Sequence, residues 1–384
     1  MDTLQLQSYF ETLIKCVAVS YFTLCMVLHF TTTPKDAIFR PYRQSKLMLT
    51  LAFGSMALNL AAWCVLTNGN WDKFNYAIAC IDIILFYFEE LMLCYSMCHI
   101  LNNSFLTRKR VMKDALRMCL AAILVLMPLL PRFEHLSRVC LLLAIVVMIE
   151  NVAELAFLFR KQYKVNRDML DNYFSSDMHR FVRWTGRSIL FLIISWVFAL
   201  VTMFTDVYVN WLFQIYMVSL NMYIAMNFLN FAPQYGHIAQ SYKSDSSMEK
   251  NICFGSDCHD KAYAAQASVG EEAAANNLYQ KITAWVESKN FLGTQFTIDE
   301  LAAALDTNKN YLSYYINERY GMNFSAWVSS LRVEEAKRMM TENPERKLED
   351  IAYQVGFSSP SYFSKVFSQN VGLSPTLWKK GMKE

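Results

Sequence analysis

The sequence predicts an all-α protein in two parts: a polytopic transmembrane helix bundle of about seven spans, and a C-terminal domain of two helix-turn-helix units joined by a linker helix. Three observations predict it. Of the 384 residues, 54% are hydrophobic and only 18% are charged, below the roughly 25% charged residues of soluble domains. The apolar residues are concentrated before residue 233, and an internal repeat lies after residue 296. This composition excludes a disordered chain and a single soluble domain.

Seven apolar segments approach the roughly 20 residues that a helix needs to cross the hydrocarbon layer. Four of them contain no Lys, Arg, Asp or Glu: 16–33, 47–70, 188–205 and 207–242. The other three contain a few charges or are shorter: 74–101, 115–131 and 139–159. The chain does not open with a basic segment and a small-residue cleavage site, so we expect the first segment to be an anchor.

The loops between these segments alternate in charge. The loops after the first, third and fifth spans contain 4, 4 and 7 basic residues, whereas the loops after the second, fourth and sixth contain 1, 2 and 0. Because cytoplasmic loops carry the excess of Lys and Arg, this alternation predicts that the N-terminus is outside and that the C-terminal half is in the cytoplasm.

Several ionisable residues fall inside the predicted spans, where they are costly and often functional. Asp82 and Glu89 are seven residues apart and share a helical face. Glu150 and Glu154 are four residues apart, with Asn151 between them. These five residues are a candidate intramembrane polar pocket for a cation, a proton or a basic signal molecule. The alternative is that they form hydrogen bonds between helices and bind nothing.

We find no motif for catalysis or for a resident cofactor. The sequence contains no H-E-x-x-H, G-x-S-x-G or Walker loop, each of which would indicate a specific chemistry. Cys253, Cys258 and His259 lack the spacing of a structural zinc site. We therefore expect no enzyme activity, no cofactor and no metal. Residues 234–276 are poor in apolar residues and are predicted to be a cytoplasmic linker with a reach of roughly 35 Å.

The internal repeat is visible residue by residue. At an offset of 50, the first copy matches the second through the pairs Leu301 and Ile351, Ala302 and Ala352, Leu305 and Val355. At an offset of 51, the matching pairs are Tyr311 and Tyr362, Leu312 and Phe363, Ser313 and Ser364, Ile316 and Phe367, Gly321 and Gly372. The extra residue falls in a turn. Each copy is therefore predicted to be a short helix, a tight turn and a second helix.

The second helix of each copy has one apolar face and one small polar face. The polar face suits a DNA major groove, where Asn, Lys and Ser side chains reach base edges. The candidate DNA contacts are Asn308, Lys309, Asn310, Ser313, Tyr314, Asn317, Ser359, Ser361, Ser364, Lys365, Lys379 and Lys380. Between the copies, one amphipathic helix is predicted over Phe324–Glu342. Its length of about 28 Å can set the two recognition helices about one DNA turn apart. A helical bundle with no DNA role is the alternative.

At this point the sequence resembles the AraC/XylS family of bacterial regulators, over residues 277–380. The matching motifs are Tyr311-Leu312-Ser313, Leu331-Arg332-x-x-x-Ala336, Ile351-Ala352-x-x-x-Gly356-Phe357, Ser361-Tyr362-Phe363-Ser364-x-x-Phe367 and Gly372-x-Ser374-Pro375. The resemblance implies DNA binding through two helix-turn-helix units, with the first residues of each recognition helix reading bases. Trp378-Lys379-Lys380 departs from the family, which usually has an aromatic residue plus Arg there. The family's usual sugar-binding cupin is absent, so its effectors do not transfer.

These inferences combine into one predicted organisation: a transmembrane sensor domain over 1–233, a linker over 234–276 and an AraC-type DNA-binding domain over 277–384. The predicted function is a membrane-embedded one-component transcription regulator in a bacterial inner membrane. Its expected partners are double-stranded DNA, the lipid bilayer and an unidentified signal ligand, and RNA polymerase and a second copy of the chain are further candidates. The alternatives are a membrane receptor whose cytoplasmic domain binds a protein, and a transporter or membrane enzyme with a regulatory tail.

Overall fold

A computed structural model describes residues 3–67, 76–176, 178–202, 207–249, 271–293 and 295–381. The regular structure in these residues is helical, as predicted. Cys253, Cys258, His259 and the centre of the predicted linker lie outside the described residues. The chain forms two compact units. The first comprises Met1–Asn166 and Phe181–Ala239, and the second comprises Arg167–Arg180 and Gln240–Glu384. The second unit thus includes a segment that the sequence analysis assigned to the membrane part.

Seven helices precede residue 250 in the described part of the chain. They are α1 Thr3–Phe30, α2 Arg40–Thr67, α3 Tyr76–Leu101, α4 Arg108–Leu126, α5 Ser137–Tyr173, α6 Arg183–Thr202 and α7 Val207–Glu249. Helix α2 packs against α1 and α3, and α3 also contacts α4 and α6. Apolar side chains from α3, α4 and α5 form one core cluster, which includes Tyr87, Val125 and Met148.

Four stretches of the described helices are long and apolar enough to cross a membrane: Glu11–Phe30, Ala37–Leu66, Pro131–Tyr173 and Tyr208–Gly236. They coincide with the first, second, fifth and seventh predicted spans. The other three predicted spans are helical, as α3, α4 and α6, and their crossing stays a prediction. Helix α3 contains three acidic residues, and α4 opens with a basic turn, which makes both less apolar than the four.

The outer surface of the first unit is apolar. Large exposed hydrophobic side chains recur along its helices, among them Val19, Phe22, Leu58, Val65, Leu142, Val146, Phe157, Leu212 and Ile215. Its interior, in contrast, contains paired polar groups. The buried Tyr42 hydroxyl donates to the Phe228 carbonyl at 3.0 Å, and the buried Asn221 amide donates to the Tyr21 hydroxyl at 2.8 Å. An apolar surface of this extent is unfavourable in water.

The second unit contains seven further helices in its described residues: α8 Glu271–Glu287, α9 Ile298–Ala304, α10 Lys309–Tyr320, α11 Phe324–Glu342, α12 Leu348–Gln354, α13 Pro360–Val371 and α14 Pro375–Gly381. Helix α11 has the bounds predicted for the linker helix. Helices α9 and α12 have 7 residues each, and α10 and α13 have 12 each. The internal repeat therefore folds as two matching helix pairs, α9–α10 and α12–α13, on either side of α11.

The caps of these helices repeat as well. Asn308 caps α10 by accepting from the Tyr311 amide, and Ser359 caps α13 by accepting from the Tyr362 amide. Gly321 and Gly372 directly follow the last residues of α10 and α13, and they have φ of 65° and 80°. This left-handed backbone favours glycine. Local sequence thus sets both ends of each second helix.

The turn inside each pair uses a second left-handed residue. The amide of Thr307 donates to the Ala302 carbonyl at 2.9 Å, and the amide of Phe357 donates to the Ala352 carbonyl at 3.0 Å. The residue before each of these donors has a left-handed backbone: Asp306 (φ 51°) in the first copy and Gly356 (φ 89°) in the second. Asp tolerates this conformation better than most residues. The extra residue of the second copy lies between this turn and the cap of α13, as the change of offset predicted.

We expect Gly356→Ala to destabilise the second unit by more than about 2 kcal/mol, since a left-handed Ala costs about 1–2 kcal/mol and meets a steric clash in addition. An added Cβ would lie 2.6 Å from the Leu292 carbonyl oxygen and 3.0 Å from Arg332 Nε. Gly321→Ala is the control, because its φ is also positive but nothing lies within 4 Å. Pulse proteolysis of the detergent-solubilised chain across a urea series measures both. An equal loss in the two variants would contradict the role of the clash.

Candidate nucleic-acid interface

Helix α10 presents a polar surface opposite a buried one. Leu312 and Ile316 are fully buried, as predicted from their spacing. On the opposite side, Tyr314 and Asn317 are exposed and Ser313 is half-buried. This arrangement leaves polar side chains outward along the first two turns, where a recognition helix reaches base edges.

Helix α13 repeats the arrangement in the second pair. Phe363 and Phe367 are buried, whereas Ser361, Ser364 and Lys365 are exposed. The three exposed residues lie in the first half of the helix and present two hydroxyl groups and one ammonium group. The second pair therefore offers a small, hydrophilic and singly charged surface.

Two of the predicted contact residues have a structural task in addition. The Asn308 side-chain oxygen accepts the Tyr311 amide at 2.7 Å, and the Ser359 hydroxyl accepts the Tyr362 amide at 3.3 Å. These bonds satisfy amides that a helix start leaves unpaired. The sequence analysis listed both as DNA contacts and did not separate capping from contact.

The predicted basic contacts differ in their surroundings. Lys365 and Lys380 are exposed, and Asn310 and Lys309 are half-buried. The Lys309 ammonium lies 4.9 Å from the centre of the Tyr173 ring. The Lys379 ammonium donates to the Arg346 carbonyl at 2.5 Å, which ties α14 to the loop after α11.

Arg332 on α11 is a residue whose role the sequence analysis missed. It is 1% exposed, and its guanidinium donates to three backbone carbonyls: Phe291, Ser175 and Gly293. It also lies 5.9 Å from the centres of the Phe296 and Phe357 rings. Burial lowers the pKa of Arg332 to about 10, so the group keeps its charge at neutral pH. The available signal was an arginine within the Leu331-Arg332-x-x-x-Ala336 motif, flanked by the apolar residues Leu331 and Val333.

Aromatic side chains hold α8 against the linker helix α11. Trp285 of α8 stacks on Trp327 of α11, with ring centres 5.9 Å apart and 23° between the planes. Phe296 contacts Trp285 at 5.5 Å and Phe324 at 5.7 Å. On α11, Glu335 accepts from Lys289 and Arg338, and these partners lower its pKa. The helices behind the interface are thus fixed by stacking and by short ion pairs.

The candidate intramembrane residues do not share one set of partners. Asp82 accepts from the Trp63 indole, and the buried Glu89 accepts from Asn221 at 3.3 Å. Glu150, Asn151 and Glu154 instead face α4, which the sequence analysis had not associated with them. Glu154 pairs with Lys113 at 2.8 Å and with Arg117.

Arg117 connects all three residues of that group on α5. Its guanidinium lies 2.7 Å from Glu150 and donates to Asn151 at 3.2 Å as well as to Glu154. Asn151 also lines a narrow cavity that includes Glu90 and Trp196. These contacts agree with hydrogen bonding between helices, the alternative left open for these residues. The grouping of Asp82 and Glu89 with them in one pocket stays a prediction.

Comparison with known proteins bears on the second unit. A family model described as a helix-turn-helix domain matches residues 301–381. The matched residues run from α9 to α14. The chain is 34% identical over 84 residues to the uncharacterized HTH-type transcriptional regulator YisR of Bacillus subtilis, which covers 22% of this chain and 29% of the relative. It is 29% identical over 89 residues to the HTH-type transcriptional activator RhaR of Klebsiella pneumoniae, covering 23% of this chain and 31% of the relative.

A third relative is the regulatory protein PocR of Salmonella typhimurium, 27% identical over 93 residues, covering 24% of this chain and 30% of the relative. Among solved structures, the C-terminal domain of AraT, a response regulator from Geobacillus stearothermophilus, matches with a TM-score of 0.25 and 24% identity, covering 27% of this chain and 84% of that one. The chain spans about three tenths of the length of the curated relatives named here. Two of these curated relatives carry names that describe an HTH-type transcriptional regulator or activator.

We expect Arg332→Met to destabilise the second unit by roughly 3 kcal/mol or more, because two buried hydrogen bonds and one partly buried hydrogen bond from a charged donor are lost. Arg338→Met is the matched control on the same helix. Its guanidinium is about half exposed and pairs with the exposed Glu342 and with Glu335, which keeps Lys289 as a second partner in the variant, so we expect a loss of about 1 kcal/mol or less. Urea unfolding followed by pulse proteolysis compares the two. Similar losses would contradict the central role of the Arg332 guanidinium.

Proposed function

We propose that the chain is a membrane-embedded one-component transcription regulator, in which the helices of the first unit sense a signal and the AraC-type domain binds operator DNA. The observation that carries the proposal is the repeated geometry of α10 and α13. Both are 12-residue second helices with a buried apolar face. Both present polar residues outward, at the two ends of one linker helix.

This geometry suits the reading of two successive major-groove segments. The groove is about 12 Å wide and admits one helix. Helix α11 has 19 residues and is therefore about 28 Å long. With the flanking turns, it suits a separation of about 34 Å, which is one turn of DNA. Asn310, Ser313 and Asn317 are the proposed base-reading residues of the first pair, and Ser361, Ser364 and Lys365 are those of the second.

The charge of this domain favours selective over general DNA binding. Residues 277–384 contain 13 Lys and Arg and 12 Asp and Glu, a difference of +1. Attraction to phosphates alone is therefore modest. We infer that base contacts from the small polar side chains supply most of the discrimination between sequences.

The proposed membrane location rests on the first unit. Four stretches are apolar enough to cross, and exposed apolar side chains line the helices. The alternation of basic loops supports an outside N-terminus and a cytoplasmic C-terminal domain. The pairing of Glu150 and Glu154 with Arg117 and Lys113 favours a structural use of these acids over a transport pathway.

DNA reading is tested by selecting bound fragments from a random-sequence library with the detergent-solubilised chain. We expect an enriched site with two half-sites about 10 bp apart. Lys365→Ala should weaken binding and relax the base preference at the position that its ammonium contacts. Lys337→Ala is the control. This substitution removes the same charge, but from a lysine that pairs with Glu334 on α11. No enriched sequence, or equal effects of the two variants, would contradict this assignment.

The topology is tested with epitope tags on spheroplasts. We expect protease added outside to remove an N-terminal tag and to leave a tag after Glu384 intact until the membrane is permeabilised, because the basic loops orient the bundle. Recovery of the chain in the soluble fraction, or digestion of the C-terminal tag on sealed spheroplasts, would contradict the proposal.

A further inference from the structure

The end of α5 continues into a segment that belongs to the second unit. We call residues 173–176 the strap: Tyr173, Phe174, Ser175 and Ser176. All four are buried, and Ser175 is 1% exposed. The sequence analysis placed this segment in a basic loop between two spans, where burial in the DNA-binding unit was not expected. A loop segment whose four side chains are all buried is packed against a specific surface.

The strap pairs with the backbone that leads into the first helix pair. The Ser175 amide donates to the Phe296 carbonyl at 3.0 Å. In return, the Phe296 amide donates to the Ser175 hydroxyl at 3.0 Å. Phe174 and Thr297 form an antiparallel bridge beside these bonds. Thr297 is the N-cap of α9, so the strap is attached at the start of the first pair.

The strap also supplies one of the three carbonyls that hold Arg332. The Arg332 Nη1 donates to the Ser175 carbonyl at 3.1 Å. The other two carbonyls, of Phe291 and Gly293, come from the turn after α8. The buried guanidinium therefore joins the strap, this turn and the linker helix α11. Removing the strap would leave part of a buried charge without its acceptor, which is costly.

The last contact involves a candidate DNA-binding residue. The Tyr173 ring lies under the ammonium of Lys309, 4.9 Å from the ring centre, within the range of a cation–π interaction. The Tyr173 hydroxyl hydrogen-bonds to Asp299 in the first turn of α9. Lys309 is the first residue of α10, the end of a recognition helix that approaches DNA. The strap thus contacts a cation that is one of the candidate DNA contacts predicted from the sequence.

We propose that the strap is an intramolecular ligand of the first helix pair that competes with DNA for Lys309, and that its release raises DNA affinity. The inference rests on the proposed function. Helix α5 is continuous from Ser137 to Tyr173, so the strap is the direct extension of the fifth predicted span. A displacement of α5 acts on the strap through this helix without passing through the linker at 234–276. The surface formed by Thr297, Lys309 and Arg332 is the docking site, and its partner is this segment of the same chain.

Substitution of Tyr173 tests the competition in the full chain, with the selected operator fragment as the probe. We expect Tyr173→Ala to bind DNA about fivefold more tightly, because the cation–π partner of Lys309 is lost. Tyr279→Ala is the matched control. The Tyr279 ring centre lies 5.9 Å from the Arg319 guanidinium, and Arg319 belongs to α10 as Lys309 does. Tyr279 itself lies outside the strap. The gain should disappear when Lys309→Ala is added. Unchanged affinity of Tyr173→Ala, or the same gain with Tyr279→Ala, would overturn the proposal.

A reversible crosslink tests the docking itself. Residues opposite each other in an antiparallel pair lie close enough for a disulfide, so F174C together with T297C should form one when oxidised with diamide. We expect the crosslinked chain to bind the operator more weakly than the same chain after reduction with dithiothreitol. The F174C single variant, oxidised in the same way, controls for the native cysteines. Peptide mapping by mass spectrometry identifies the crosslink.

The outcomes separate the two proposals. A chain that forms the crosslink but binds no selected DNA, with or without reduction, contradicts the proposed function and with it the competition. A chain that binds DNA equally well in the crosslinked and reduced states overturns the strap proposal and leaves the proposed function standing. Failure of F174C and T297C to crosslink in the membrane-embedded chain overturns the docking.

Discussion

The buried guanidinium of Arg332 is the interaction on which the second unit depends. It donates to the carbonyls of the buried residues Phe291 and Ser175 and to the carbonyl of Gly293, and buried carbonyls are expensive to leave unpaired. The carbonyls come from the turn after α8 and from the strap, whereas the guanidinium belongs to α11. Gly356 lies against the same group, so the turn of the second helix pair is fitted around it. One charge thereby fixes the relation between the two helix pairs.

Around this centre, the two helix pairs reuse one local design. Each turn closes with the same backbone hydrogen bond and one left-handed residue, and each second helix has a side-chain cap and a terminal glycine. These features are short-range, so the sequence determines them independently in each copy. The two polar faces differ in the residues that surround them. Lys365 is exposed, whereas Lys309 lies over Tyr173. The two similar second helices therefore differ in whether a lysine of the polar face is covered by an aromatic ring.

The first unit follows a different rule, because many large apolar side chains face outward and some of its buried polar groups pair with each other. Tyr42 with Phe228, and Asn221 with Tyr21, are examples of such internal pairs. The acids of α5 are matched by cations of α4, which lowers the cost of keeping these charges on neighbouring helices. The arrangement makes the helices depend on each other through a few polar contacts. A signal that alters one of these pairs has a physical route to α5.

The sequence by itself determined the helical class, the bounds of α11, the offset between the two copies and the buried faces of α10 and α13, because periodicity, caps and glycines act over a few residues. It also supplied the candidate contacts, though not the capping tasks of Asn308 and Ser359 or the engagement of Lys379. Only the tertiary structure decided the partners of Arg332, the docking of residues 173–176 and the pairing of Glu154 with Arg117. These contacts join residues from 37 to 157 positions apart, and no local pattern specifies which distant backbone will meet a given side chain.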